Sequence, residues 1–380
     1  MKAIRICVIF LLLFLLTGCS LGEETVTVYC VDTGAYVPVD GREPYYLTYE
    51  YDKNGRLLYY NNGHTPKSYT YDLRGNVQSC TYYTADGRPN YIDRFTYDAN
   101  NNKLCKQRDD IAGNPIYSYH YTYDRLGHML TYLQCNPYGD VNNRTVYQYD
   151  DRGNQIVQKE YDENDKITWH MESVYDAHNN CIKETSYDPN GQINYTYTMT
   201  YDTSGRLLTK THSNGTSTAY TYDEAGRTAQ ICHYRHGSLE KTQIYTYDPQ
   251  GRLQEEHTVY SPDVTIPVSA TLRIVYTYDD AGNKLSETVT RHLSEYDTRS
   301  PTYTNTWTYD AYGNMLSYHD TGLNNNNLRY EYTYKAFIVP ASQAKRIIAE
   351  QSRLRYPADY SVAIGDTATF VNYPLSAFSY

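Results

Sequence analysis

The sequence predicts an all-β fold: an array of antiparallel β-hairpin repeats forming a curled or spiral sheet, with a small helix-containing C-terminal cap. Three observations predict it. In repeat phase Tyr-Asp recurs eleven times, at Tyr51, Tyr71, Tyr97, Tyr123, Tyr149, Tyr175, Tyr201, Tyr222, Tyr247, Tyr278 and Tyr309, with 26 residues the commonest spacing. Most copies continue as Asp-x-x-Gly, a turn signature. Tyr supplies 48 of the 380 residues, against 6 Phe and 2 Trp, so Tyr is the main material for a core. Leu, Ile, Val and Phe together reach only roughly 18%, which with high net charge would suggest disorder. The formal charge is a modest −10 and aromatics reach 15%, so the chain can bury surface. A Leu-rich helical bundle is excluded. So is a basic nucleic-acid binder, because the balance is acidic and no Lys/Arg run exceeds two residues.

The first element is an address. Lys2 and Arg5 precede an apolar run from Ile6 to Leu16, 11 residues long. That is short for a bilayer span and right for the apolar part of a signal peptide. It ends in Leu16-Thr17-Gly18-Cys19, which resembles the bacterial lipobox. The resemblance implies cleavage before Cys19 and lipidation of its sulfur. Two or more acyl chains there would hold the protein at a membrane. Residues 1–18 are therefore expected to be a lipoprotein signal peptide. The location expected is the bacterial cell envelope, facing outside the cytoplasm.

Residues 19–44 are expected to carry the anchor and a first strand, Val26-Thr27-Val28-Tyr29, covering the N-terminal edge of the array. Residues 45–335 form the repeat β domain. Its clearest units read YEYDKNGRLL (49–58), YTYDEAGRTA (220–229), YTYDPQGRLQ (245–254) and YTYDDAGNKL (276–285). In Tyr-Thr-Tyr, alternate residues face opposite sides of a sheet, and both types suit a pleated surface. Asp then opens a type I turn, and Gly at the fourth position accepts φ > 0, which makes a hairpin with a bulge. Arg and an apolar residue such as Leu57, Leu207 or Leu253 follow. About 12 residues on, a weaker turn recurs: Ala85-Asp86-Gly87, Ala112-Gly113-Asn114, Tyr138-Gly139-Asp140, Asn164-Asp165-Lys166 and Pro189-Asn190-Gly191. Each unit thus holds two strands. Tyr332-Thr333-Tyr334 opens a twelfth unit, in which Lys335 replaces Asp and ends the array. Roughly two dozen strands side by side span ~100 Å. Open twisted sheets that wide curl or split, so a coiled or partly closed sheet is expected.

The array resembles the Rhs/YD-repeat family, which includes bacterial Rhs proteins, teneurins and shell subunits of insecticidal toxin complexes. The resemblance covers about residues 45–335; Asn101 and Asn179 replace Gly in two copies. It implies a spiralling β-shell that in some members encloses a toxic C-terminal segment. The Asp-Pro-x-Gly-Leu motif that closes the Rhs core is not found here.

The periphery is less regular. Ser261–Ala270 and Arg291–Pro301 read as enlarged loops, and Asn324–Asn327 as a loop tip. Ala341–Arg355 reads as an amphipathic helix with Ile347, Ile348 and Leu354 on its apolar side and Pro357 ending it. Ala358–Tyr380 reads as one or two strands. Repeat arrays need caps at their ends, which is the expected role of residues 336–380.

Candidate functional residues come from the repeat itself. Two positions before each Tyr-Asp stand Tyr49, Tyr69, Phe95, Tyr121, Tyr147, Ser173, Met199, Tyr220, Tyr245, Tyr276 and Trp307. Nine of these eleven are aromatic, giving one face a double aromatic column. Tyr121, Tyr147, Tyr245 and Trp307 are the candidates for a sugar- or peptide-binding stripe. The competing reading makes the same column the core, with the intervening Thr face turned to solvent.

No metal or cofactor site is expected. Asp162-Glu163-Asn164-Asp165 and Asp98–Asn102 concentrate oxygens but do not fit a twelve-residue EF-hand loop. Cys232-His233 of the Cys232–His236 group would point to opposite faces of a strand. No Gly-x-Ser-x-Gly, His-Glu-x-x-His or P-loop is present, and Glu255-Glu256 also splits across a strand. No catalytic residues are expected. Cys30, Cys80, Cys105, Cys135, Cys181 and Cys232 fall at different phases of the repeat and read mainly as small buried hydrophobes.

The sequence thus points to a non-catalytic, surface-anchored bacterial repeat lipoprotein. Its expected partners are the membrane, through lipid on Cys19, and a cell-surface glycan or protein. The alternative is a relative or fragment of an Rhs-type toxin-delivery shell.

Overall fold

The computed structural model describes residues 25–38, 43–62, 64–261, 271–292, 302–321 and 328–354. The signal peptide, Cys19, most of the two enlarged loops, Asn324–Asn327 and Ala358–Tyr380 lie outside these.

The repeat folds as strand, turn, strand because Asp holds both ends of the turn. The Asp52 N–H donates to the Arg56 carbonyl at 2.9 Å, and the Gly55 N–H to the Asp52 carbonyl at 3.0 Å. Asp52 Oδ1 accepts the Asn54 and Arg56 N–H groups at 2.8 and 3.0 Å. Gly55 sits at φ +74°, the left-handed conformation that a β-carbon disfavours. Asn101 and Asn179 adopt φ 67° in the two copies without Gly. Each also accepts a hydrogen bond at 2.9 Å from the preceding turn, from Asn76 and Asn154 respectively. The turns between units use the same construction: Asp110, Asp162 and Asp188 open three of them, and Gly113, Asp165 and Gly191 take positive φ. They are not weaker, as expected from the sequence, but equivalent.

The first strand is β1 (Thr25–Pro38). Next come β2 (Tyr45–Tyr51), β3 (Leu57–Asn61), β4 (Lys67–Tyr71), β5 (Val77–Tyr83), β6 (Pro89–Tyr97) and β7 (Lys103–Asp110). These are followed by β8 (Pro115–Tyr123), β9 (Met129–Cys135), β10 (Val141–Tyr149), β11 (Gln155–Asp162), β12 (Ile167–Tyr175) and β13 (Cys181–Tyr187). The run continues through β14 (Ile193–Tyr201), β15 (Leu207–His212), β16 (Thr216–Tyr222), β17 (Thr228–Arg235), β18 (Ser238–Tyr247) and β19 (Leu253–Tyr260). It ends with β20 (Thr271–Tyr278), β21 (Lys284–His292), β22 (Thr302–Tyr309), β23 (Met315–Asp320) and β24 (Leu328–Pro340). A helix, α1 (Ala341–Leu354), follows directly.

Each strand pairs antiparallel with its chain neighbours. β24 then pairs with β1 along nearly its whole length, from Thr25↔Pro340 to Pro38↔Leu328. The 24 strands are therefore a closed barrel, which corrects the expected curled or spiral sheet. Closure removes both edges, whose unpaired N–H and C=O groups would template association. An even strand number lets the antiparallel ends meet. At about 4.8 Å per strand the ring is ~115 Å round, or roughly 37 Å across if circular.

The Tyr-Asp turns all lie at one rim. β1 starts and β24 ends at that rim, and α1 sits there. The side-chain alternation is regular. Thr70, Thr96, Thr122, Thr200, Thr221, Thr246, Thr277 and Thr308 are exposed on the outer wall. Several bond across strands, as Thr122 does to Thr131 and Thr200 to Thr209, both at 2.7 Å. The outer wall also carries ion pairs such as Arg94–Asp109 and Arg273–Glu255. A row of aliphatic residues runs through it (Leu58, Leu104, Leu130, Ile182, Leu285, Leu316), each 36–39% exposed. A lipid-spanning barrel needs an apolar band about 25 Å tall on its outside and a polar interior. Here the outer wall mixes threonine hydroxyls and ion pairs with that aliphatic row.

The tightest core lines the barrel next to the seam, where Val31, Leu47, Tyr49, Leu57, Tyr69, Val77, Cys80, Tyr82, Phe95, Trp307, Met315 and Tyr332 are buried. α1 closes a second cluster of Val28, Cys30, Val339, Ala344 and Ile347. Ile348, expected on the apolar side, is 56% exposed; Ala344, Ile347 and Gln351 form the buried stripe instead. Gln351 explains the stripe. A bulge at Asp32 shifts the β1–β24 register between Val31 and Thr33. The Val31 N–H turns to Gln351 Oε1 at 2.8 Å. The six cysteines of the described residues are free thiols, with Cys30, Cys80 and Cys135 buried. Burial pushes the Cys80 thiol up to about 12.

Candidate functional site

The inner wall is the surface that the repeat builds most consistently. The tyrosine of each Tyr-Asp pair points inward and ties one hairpin to the previous one. From Tyr71 to Tyr278 its hydroxyl donates to the carbonyl six residues beyond the preceding repeat's tyrosine. Examples are Tyr97 to Val77, Tyr123 to Lys103 and Tyr149 to Met129, each at 2.9 Å. Tyr334 keeps this bond, to Met315 at 2.6 Å, although its repeat has lost the Asp. Burial raises the phenols of Tyr97, Tyr123 and Tyr149 to about 12, which keeps them proton donors at neutral pH.

The residue four positions after each Asp completes the rim. Arg206 Nε donates to Asp202 Oδ2 at 2.7 Å, and its guanidinium lies 4.7 Å from the Tyr222 ring centre in the next repeat. Arg56, Arg227 and Arg252 do the same to Tyr71, Tyr247 and Tyr278. His128 bonds Asp124 at 2.8 Å and stacks on Tyr149. Asn154 donates to Asp150 at 2.9 Å, and that bond, aided by backbone N–H groups, lowers the Asp150 carboxyl to about 2. The Arg after Gly in the sequence is thus a clamp on its own Asp and a lid on the next Tyr. A side-chain donor at the fourth position after Asp was the signal for it.

Tyr121, Tyr147, Tyr245 and Trp307 all face the lumen, but the structure does not bring them together. They stand on β8, β10, β18 and β22, spread around the ring. Tyr121 and Trp307 are buried at 6% and 5% exposure. Tyr147 and Tyr245 are half-buried. Tyr121 packs on Tyr132, 5.6 Å between ring centres, and Trp307 on Tyr318 at 5.2 Å. The column is core near the seam; from β10 to β20 its tyrosines are half-buried, while Ser173 and Met199 between them are buried.

Two lumenal groups escaped the sequence reading because their members lie on different strands. On β5–β8, Asp93 is fully buried and accepts two hydrogen bonds from Arg108, at 2.6 and 2.8 Å, with Lys106 3.5 Å away. Arg108 lies 3.8 Å from the Tyr91 ring centre, with Tyr82 and Tyr117 near 5 Å. Opposite-sign charges inside an aromatic box keep a buried ion pair compensated. On β19–β22, Glu256, Tyr276, Lys284, Glu287, Asn305 and Trp307 form a mixed patch. Tyr276 donates to Glu256 at 2.7 Å, and Lys284 pairs with Glu287 at 3.1 Å. Burial, then this bond to Glu256, raises the Tyr276 phenol.

His233 and Cys232 do point to opposite faces: His233 bonds Gln243 at 2.8 Å on the inside, while Cys232 meets Thr242. Among the described residues no three His, Cys, Asp or Glu side chains cluster as metal ligands. No described helix is long and apolar enough to cross a membrane.

Residues 201–231, spanning β14 to β17, match the family model of the RHS Repeat. This chain carries an Rhs repeat. No curated protein matches the sequence. Among solved structures, the barrel is similar to the TcdB2-TccC3 complex, at 16% identity and a TM-score of 0.33 over 80% of this chain and 24% of that one. A Tc holotoxin pore of Photorhabdus luminescens gives 17% identity and a TM-score of 0.30, over 80% and 23%. A porin-like protein of Bacteroides uniformis gives 9% and 0.26, over 80% and 98%. The chain spans about a quarter of the length of the toxin-complex chains it matches.

Proposed function

We propose that the chain is a non-catalytic binding scaffold displayed at the bacterial cell envelope, whose barrel takes a glycan or protein partner. The observation that carries the reading is the inner wall. From β10 to β20 it presents the half-buried rings of Tyr147, Tyr220, Tyr245 and Tyr276 beside amide and carboxylate groups, a mixture that suits recognition of a polar ligand. Lipid on Cys19 supplies the anchor. β1 begins at Thr25 on the Tyr-Asp rim, and six residues of chain reach at most ~20 Å. That rim therefore faces the membrane, and the opposite rim faces outward. The hydroxyl- and charge-bearing outer wall suits a barrel standing in water.

Glycan- and protein-array binding by the mature chain tests the scaffold, which predicts selective retention of a small set of ligands. Retention of none refutes it. Cys19→Ala tests the anchor: the variant is expected to leave the membrane fraction or stay uncleaved, and equal retention after detergent-free washing refutes lipidation. A second reading, a relative of an Rhs-type toxin-delivery shell, is supported by the RHS Repeat match together with the closed wall. A toxin or immunity gene beside this one would favour it over the scaffold.

A further inference from the structure

The β19–β22 patch contains two buried polar atoms without a hydrogen-bond partner, Asn305 Oδ1 and Trp307 Nε1. They belong to consecutive inward positions of β22, and their residues are 8% and 5% exposed. The Asn305 amide nitrogen donates to Glu287 Oε1 at 3.4 Å, which directs its oxygen away from that contact. The indole offers a donor and nothing else. One acceptor and one donor are thus left over beside a network that already joins Tyr276 to Glu256 and Lys284 to Glu287.

We propose that this wall is a lumenal subsite for a neutral polyhydroxyl ligand, a sugar, whose hydroxyl groups accept from Trp307 Nε1 and donate to Asn305 Oδ1. The proposal rests on the glycan reading above and gives it a place. A hydroxyl is donor and acceptor at once, so one chemical class answers both atoms. Glu256 and Glu287 outnumber Lys284, which disfavours an anion. The indole face is not the contact. Lys284 Nζ lies 4.2 Å from the Trp307 ring centre, and Tyr318 packs at 5.2 Å. Trp307 acts through its N–H, unlike the stacking role expected from the sequence. Lys284 and Glu287 keep 33% and 23% side-chain exposure, which opens the patch to the lumen at its edge, and ligand contact with the two buried atoms requires Lys284 to leave the Trp307 ring.

The chain's two tryptophans make the test direct. In full-length protein carrying Trp169→Phe, Trp307 is the sole indole reporter. Titration with maltohexaose, cellohexaose, chitohexaose and xylohexaose is expected to give a saturable change in Trp307 emission with at least one. Asn305→Leu, made in the same background and in the wild type, is expected to weaken that binding at least tenfold, in fluorescence and by calorimetry. Calorimetric binding that is unchanged in Asn305→Leu overturns the subsite and leaves the scaffold reading standing. An unresponsive Trp307 with no calorimetric binding of any of the four sugars overturns the subsite too. Array binding of other ligands by the same protein then decides the scaffold reading separately. In either case a trapped water, the ordinary partner of such atoms, accounts for the pair.

Discussion

Gln351→Leu isolates the contact that docks α1 on the barrel seam. Gln351 is 2% exposed. Its Oε1 accepts the Val31 N–H at 2.8 Å, and its Nε2 lies 3.3 Å from Tyr51 Oη. Tyr51 Oη in turn donates to the Val31 carbonyl at 2.7 Å. Leucine fills nearly the same volume, so the cavity contribution is small. What is lost is the acceptor for a buried backbone N–H that the bulge at Asp32 has taken out of the ladder. Leaving such a group unsatisfied costs about 1–3 kcal/mol. Urea denaturation followed by far-ultraviolet circular dichroism measures it, with Gln343→Leu on the exposed side of α1 as the control. A midpoint for Gln351→Leu equal to that of the control would refute the reasoning, because Val31 would then have another partner.

Three further expectations follow from the wall and its turns. Gly205→Val should cost about 1–3 kcal/mol through backbone strain. Gly205 has φ +79°, and its new Cβ would meet Asn180 Oδ1 only at 3.5 Å, so strain rather than collision is responsible; an unchanged melting temperature would contradict the turn geometry. Tyr121→Ala should cost about 3–5 kcal/mol as a buried aromatic truncation, and half-buried Tyr147→Ala and Tyr245→Ala less; equal melts for all three would deny the division into core and lining. Acid should weaken the barrel: unfolded Asp titrates near 3.9, and Asp150 is held at about 2. The turns' contribution is complete above the unfolded value and is lost as pH falls from ~4 towards 2. A stability profile flat across that window would mean the Asp carboxylates do not hold the turns.

Much of this fold is legible in the sequence because its information is local. Tyr-Thr-Tyr gives the two faces, and Asp-x-x-Gly gives the turn. The helix over 341–354 follows from its pattern and the proline before it. Closure is not legible, because β1 pairs with β24 about 300 residues away and carries no copy of the repeat. Its sequence, TVTVYCVDTGAYVP, reads as a strand without naming a partner. Gln351 was hidden for a related reason: a polar residue on a helix's buried side makes sense only once the bulge at Asp32 is known. The same holds for Asp93 with Arg108 and for Asn305 with Trp307. The four residues Tyr121, Tyr147, Tyr245 and Trp307 share one phase of the repeat and hence one face. Periodicity could not say that the face would wrap into a lumen and separate them.

Cross-linking the seam tests the closed barrel most directly. Thr27 and Ile338 are register partners on β1 and β24, and both are exposed. The double variant Thr27→Cys/Ile338→Cys is oxidised with copper phenanthroline and digested. Mass spectrometry should then find, in high yield, a disulfide-linked peptide pair joining positions 27 and 338. The neighbouring β2–β3 pair Thr48→Cys/Asn61→Cys serves as the positive control. Cross-linking across the seam as efficient as in the control is the predicted result. Efficient control cross-linking with none between positions 27 and 338 would contradict closure and restore an open sheet.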